Sequence, residues 1–188
     1  MFIGLVGTKG SGKSTVATML HDEFGMTEYT VATPLKQICK VLGAPDHSIY
    51  GTQEEKESLI PHIGMSGRHL MQKLGTDLFR ETFHKVLPEF NLGGFSIWVY
   101  LLDKFLRDNT NVVVSDIRFN DEAGVITKHG GVLIRILRDT HAVDMHISEQ
   151  EPESIPCMHT IDNTGSLDDL RSRVKELVKS LKIDIRKH

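Results

Sequence analysis

Residues Gly7 to Ser14 read GTKGSGKS, a complete match to GxxxxGK[ST], and they lie between the apolar run Phe2 to Val6 and a segment with Val16, Leu20 and Phe24 at every fourth position. A buried strand that feeds a glycine-rich turn into an amphipathic helix opens a parallel α/β sheet. The glycines let successive backbone N–H groups turn toward one point, which makes an anion nest at a helix N-terminus. Gly10, Ser11, Gly12, Lys13, Ser14 and Thr15 are therefore the expected phosphate-binding residues. Lys13 would reach the β and γ oxygens of a nucleoside triphosphate, and the Ser14 hydroxyl would ligate the accompanying Mg²⁺.

The rest of the chain continues the alternation of strand and helix. Tyr29 to Ala32 reads as a second short strand, followed by a helix that Thr33 caps, with Pro34 in its first turn and Gly43 at its end. Thr52 to Glu55 spells a capping box, and Ser66 opens a further helix. Gly67 to Leu87 reads as two consecutive helices broken at Gly75, and Ser96 to Arg107 as another. The valines 112 to 114 run into Ser115 and Asp116; a helix from Asn120 to His129 and the strand Val132 to Leu137 follow. Thr160 to Asp162 is a last strand, and Leu167 to Leu181 stripe a final helix. The expectation is a five-stranded parallel sheet with helices on both faces and the glycine-loop strand at its centre.

With 188 residues the chain has the length of one domain. A net charge of −3 offers no global positive field for a polymeric nucleic acid, and no apolar run approaches the roughly 18 residues that span a bilayer. Two cysteines without CxxC spacing, and an N-terminus that opens directly into a strand, place the chain in the cytoplasm as an expectation. The 10 histidines show neither HxxxH nor HExxH spacing, so no zinc site is expected.

A phosphate loop leaves switch GTPases, motor ATPases and small-molecule kinases open. No guanine-reading NKxD occurs. Asp116, at the end of an apolar strand, suits the carboxylate that supports Mg²⁺ in such proteins.

In order along the chain, GTKGSGKST at Gly7 to Thr15, ATPLK at Ala32 to Lys36, GRHLMQKLGTDLFRE at Gly67 to Glu81 and SDIRFNDEA at Ser115 to Ala123 resemble the phage-type deoxynucleoside monophosphate kinases. HISE at His146 to Glu149 and NTGSLDDL at Asn163 to Leu170 extend the resemblance. It implies Mg²⁺-dependent phosphoryl transfer from ATP to a deoxynucleoside monophosphate on a nucleoside-kinase type sheet. Residues 33–107 would form a helical acceptor-binding insertion and residues 138–157 a lid, within one kinase domain. A dephospho-coenzyme A or shikimate-like kinase is the alternative enzyme, and a nucleotide-gated binding module the alternative outside enzymes.

Transfer between two anions needs fixed cations. Arg68 and Arg80 fall on the helices after Ser66, where guanidinium forks match phosphate geometry. Gln72, four residues after Arg68 on the same face, could read a base edge. Lys36 is placed to meet the acceptor phosphate, and Trp98 can either stack on the base or fill the core. Asp116 and Arg118 sit at the carboxyl edge of the sheet, Asp116 to hold a Mg²⁺-bound water or orient the attacking phosphate. Arg138, beside the acidic stretch Asp139 to Glu153, is favoured over Arg135 as the lid arginine over the transferring group. Asp77 ranks lower, as a helix cap or a partner for arginine. The expected partners are ATP and a deoxynucleoside monophosphate, with no membrane or nucleic acid; a homodimer is left open.

Overall fold

The computed structural model describes residues 1–138 and 154–185, which divide into two compact units, Met1–Thr30 with Leu102–His188, and Val31–Leu101. The chain opens the first unit with β1 (Phe2–Val6), α1 (Lys13–Phe24) and β2 (Thr27–Tyr29). It then builds the second from α2 (Thr33–Val41), α3 (Asp46–Tyr50), α4 (Gln53–Glu57), β3 (Leu59–Ile60), β4 (Met65–Ser66), α5 (Gly67–Gln72), a π-helix (Lys73–Arg80) and α6 (Phe83–Val86). Helix α7 (Ile97–Asp108) leads back to the first unit, which is completed by β5 (Val112–Ile117), α8 (Asn120–Lys128), β6 (Val132–Leu137), β7 (His159–Asp162) and α9 (Leu167–Ile185).

The first unit is a five-stranded parallel sheet in the order β2-β5-β1-β6-β7, with β1 at its centre as its apolar sequence requires. Alternation along β1 sends Ile3 and Leu5 into a core with Val16 and Leu20 of α1 and with Leu170, Val174 and Val178 of α9. Gly4, between them, faces the opposite side, toward Ile126 of α8. Each fully buried Ile or Leu of this sandwich contributes about 1.5–3 kcal/mol. No helix among the described residues is long and apolar enough to cross a membrane.

Three expected boundaries move. The second strand is Thr27–Tyr29, not Tyr29 to Ala32, because its register is set by the Thr27 N–H donating to Asn111 O (2.8 Å) and by Thr27 pairing with Val112. As an edge strand it exposes Thr27 and Glu28, so it carries no apolar run to find. Thr33 does not cap α2 but is its first residue, with Ala32 ahead of it. Gly75 does not break a helix: it is buried inside the π-helix, where an added Cβ would lie 2.7 Å from Leu35 Cδ2. The capping box at Thr52 and Glu55 forms as read, and Ser66 Oγ accepts from the His69 N–H. The stretch Asp139 to Glu153, with HISE, lies outside the described residues.

In the first unit, Asp103 is 3% exposed on α7 and accepts a hydrogen bond from His129 Nε2 (2.9 Å), with Arg107 and Lys128 also paired to it. Burial alone would raise its pKa, but the His129 hydrogen bond and the Arg107 and Lys128 charges hold it below the ordinary value of 3.8. A carboxyl lowered by folding contributes stability that is present above its unfolded pKa and lost as pH falls through the folded one. Asp103→Asn should therefore lower stability by about 2 kcal/mol at neutral pH, and acid titration should narrow the gap from wild type below about pH 4. Urea unfolding at a series of pH values measures it; a gap independent of pH would refute it.

Candidate active site

Carboxyl ends of β5, β1 and β6 lie side by side, with Val6 of β1 paired to Ile117 on one side and Arg135 on the other. Such an edge is where open α/β sheets hold ligands. The Gly7–Ser14 loop leaves β1 here and turns into α1, whose N-cap Gly12 has φ 101°, a left-handed backbone that favours glycine. Lys13 Nζ donates to the carbonyls of Gly7 (2.6 Å) and Thr8 (2.9 Å), which draws the ammonium back across the loop. Ser14 and Thr15, in the first turn of α1, are exposed.

Between Gly4 and Val6 the register on β5 advances from Val114 to Ile117, so β5 carries one residue more than β1 there. An extra residue bends a strand and re-aims its side chains, and it falls where Asp116 sits, half-buried, near the sheet edge. Past the strand end the Arg118 and Phe119 N–H groups both donate to Glu122 Oε2, at 2.9 and 3.2 Å. Glu122 is 2% exposed, and its carboxylate caps the start of α8, closing the turn that carries Arg118.

Tyr29, at the end of β2, stacks on Phe105 with ring centroids 4.4 Å apart. Burial, with the Asp116 and Glu122 carboxylates adding to it, pushes its phenol up to about 12. It stays neutral near Asp116 at any physiological pH. Arg138 is exposed just beyond β6. Arg135, the disfavoured candidate, donates to Ile155 O at 2.5 Å.

The acceptor candidates other than Arg118 lie in the second unit. Arg68 and Gln72 both belong to α5, one turn apart. The Arg68 guanidinium donates to Gln53 Oε1 and lies 3.4 Å from Glu57 Oε1, so α4 supplies its partners. Lys36 of α2 stands over the Tyr50 ring at 5.3 Å, and Arg80, half-buried, ends the π-helix. Asp77 pairs with Lys73 (2.7 Å). Trp98 is 5% exposed, donates from Nε1 to Gly75 O (2.7 Å) and packs on Phe79 at 5.3 Å. Of its two expected roles, this burial fits the one that fills the core.

Three residues of the first unit carry no role in the sequence reading. Glu122 was findable as the acidic third residue of a helix start, and Tyr29 had no local signal. Asn163, which donates from Nδ2 to Ser11 O (2.8 Å), lies 152 positions from its partner, so only folding brings the pair together.

The chain matches the deoxynucleotide monophosphate kinase family over residues 46–174. It is 40% identical over 161 residues to a protein of Acanthamoeba polyphaga mimivirus named for the same activity, covering 82% of this chain and 83% of the relative. It is 30% identical over 127 residues to the deoxynucleotide monophosphate kinase of Enterobacteria phage T4, covering 62% of this chain and 46% of that protein. Among solved structures, shikimate kinase from Aquifex aeolicus superposes with a TM-score of 0.55 at 18% identity over 98% of both chains, a likeness of fold.

Proposed function

Because the chain belongs to the deoxynucleotide monophosphate kinase family, we propose that it transfers the γ-phosphoryl group of ATP directly to the phosphate of a deoxynucleoside monophosphate, giving ADP and the diphosphate. The observation that carries the proposal is the complete phosphate loop at the sheet edge beside Asp116 and Arg118. An oxygen of the acceptor phosphate attacks the γ phosphorus in line as the bond from that phosphorus to the β,γ-bridging oxygen breaks, and the electron pair leaves with ADP.

In this reading the Gly10 to Thr15 segment cradles the triphosphate, and Lys13 neutralises charge that grows on the β and γ oxygens. The Ser14 hydroxyl and the Asp116 carboxylate are hard oxygen donors of the kind Mg²⁺ takes, and the cation, bound with ATP, would offset phosphate charge there. Arg118 and Arg138 suit the transferring group. Arg68 clamps the acceptor phosphate, with Lys36 and Arg80 adding charge, and Gln72 reads the base edge. Substrates of this chemistry are cytoplasmic nucleotides, and the reaction needs no membrane or nucleic acid.

The test is incubation with ATP, Mg²⁺ and each deoxynucleoside monophosphate in turn, with dephospho-coenzyme A and shikimate alongside and products resolved by ion exchange. A deoxynucleoside diphosphate is the expected product; ATP hydrolysis indifferent to acceptor, or a product only from the other two, would overturn the reading. Arg68→Ala should lower kcat/KM by about tenfold or more for every accepted base alike, since it removes a charge-assisted contact to a phosphate they share. Gln72→Ala should instead change the ratio between bases, because an amide distinguishes donor from acceptor edges. Steady-state kinetics on the four common deoxynucleotides separates the two.

A further inference from the structure

The phosphate loop is braced from the far end of the sheet. Asn163 follows β7, and its amide nitrogen donates to Ser11 O at 2.8 Å; a carbonyl can only accept, so the amide must present nitrogen there. The approach is so close that a Cβ on Gly12 would fall 2.3 Å from that nitrogen. The GK[ST] glycine is thus favoured by its own φ of 101°, and a side chain there would also displace the Asn163 amide.

Asn163 is held firmly on both sides. Its own N–H donates to Leu137 O (2.7 Å) on β6, and Asp162 Oδ1 accepts from the Thr164 N–H (3.0 Å). One turn on, Ser166 and Asp169 exchange the start of α9: the Asp169 carboxylate accepts from the Ser166 N–H (2.9 Å), and Ser166 Oγ accepts from the Asp169 N–H (3.2 Å). The amide is a short arm on a rigid turn. The arm meets the Ser11 backbone alone; the Ser11 side chain is fully buried and its Oγ finds no hydrogen-bond partner among the described residues.

We infer that Asn163 is a positioning residue for the triphosphate. A trans peptide points its C=O and N–H in opposite directions, so fixing Ser11 O toward Asn163 turns the Gly12 N–H the other way. That N–H, at the N-terminus of α1, is the donor the nest presents to phosphate. Asn163 sets the peptide in the binding orientation before the ligand arrives, which spares the ordering cost on binding. The inference rests on the kinase reading only for what the bound nucleotide is used for.

The experiment measures affinity of the full chain for ADP, and separately for a deoxynucleoside monophosphate, by calorimetry on wild type, Asn163→Ala and Asn163→Asp, with thermal unfolding of each. The alanine variant should bind ADP about 3–10-fold more weakly, the scale of one net hydrogen bond, with monophosphate affinity unchanged. The aspartate variant should be weaker still, since it sets a carboxylate oxygen against a carbonyl oxygen beside a site for anions. A third variant, the neutral and near-isosteric Asn163→Leu, separates the hydrogen bond from volume and charge: if Asn163 merely fills space, it would bind ADP like wild type, and that result overturns the inference. Equal losses for both ligands, or none for ADP, overturn it as well. Should the alanine variant fail to fold, the leucine comparison decides alone. A wild type that binds ADP but phosphorylates no deoxynucleoside monophosphate would overturn the kinase reading and leave Asn163 to be judged by ADP affinity.

Discussion

Replacing Lys13 with Met is expected to lower kcat by at least about 10²-fold while the unfolding midpoint stays within a few degrees of wild type. The ammonium is held by the Gly7 and Thr8 carbonyls at 2.6 and 2.9 Å, inside the loop it serves. Those bonds join residues five and six apart within one loop, so their loss changes local order more than the core of α1 and α9. Turnover is different, because charge on the γ oxygens grows only as the transition state forms, and a fixed cation there lowers the barrier without comparable ground-state gain. Met keeps the length and apolar stem of the side chain and removes the charge alone. Stopped-assay kinetics and a melting curve on the same preparation measure both halves; unchanged turnover would remove the loop from the mechanism.

The sequence made this site legible because a phosphate loop is a local device: its glycines, Lys13 and the flanking periodicities occupy one continuous stretch. The central strands were legible for a similar reason. Val112 to Val114, and Leu133, Ile134 and Ile136 of β6, are buried and so read as apolar runs. What stayed hidden depends on distant partners. β2 owes its position to Asn111 and to pairing with β5, and its own Thr27 and Glu28 are exposed. The extra residue of β5 that re-aims Asp116 has no signature in SDIRF, because a bulge is defined only against the neighbouring strand. Gly75 shows the same limit: a glycine in a helical pattern reads as punctuation, whereas here it makes room for Leu35 and offers its carbonyl to an indole.

That indole gives the other large effect. Trp98→Ala should destabilise the second unit by about 3–5 kcal/mol, the scale of deleting a buried aromatic ring, and leave the Gly75 carbonyl without its donor at 2.7 Å. Trp98→Phe keeps a ring against Phe79 and loses only the N–H, so it should cost about 1–2 kcal/mol. The phenylalanine variant is the one that separates core from site. With the ring inside the unit, it should leave the relative kcat/KM values for different bases where wild type has them, whereas a stacking platform would change them base by base. As the chain has 1 Trp, its fluorescence gives an independent reading. At 5% exposure the emission should be shifted to the blue and resist quenching by iodide. If instead iodide reaches it readily and an accepted monophosphate protects it, the ring faces the ligand. The pattern of Phe79, Gly75 and Trp98 would then be a lining of the acceptor pocket, and the base would be read by stacking beside Gln72.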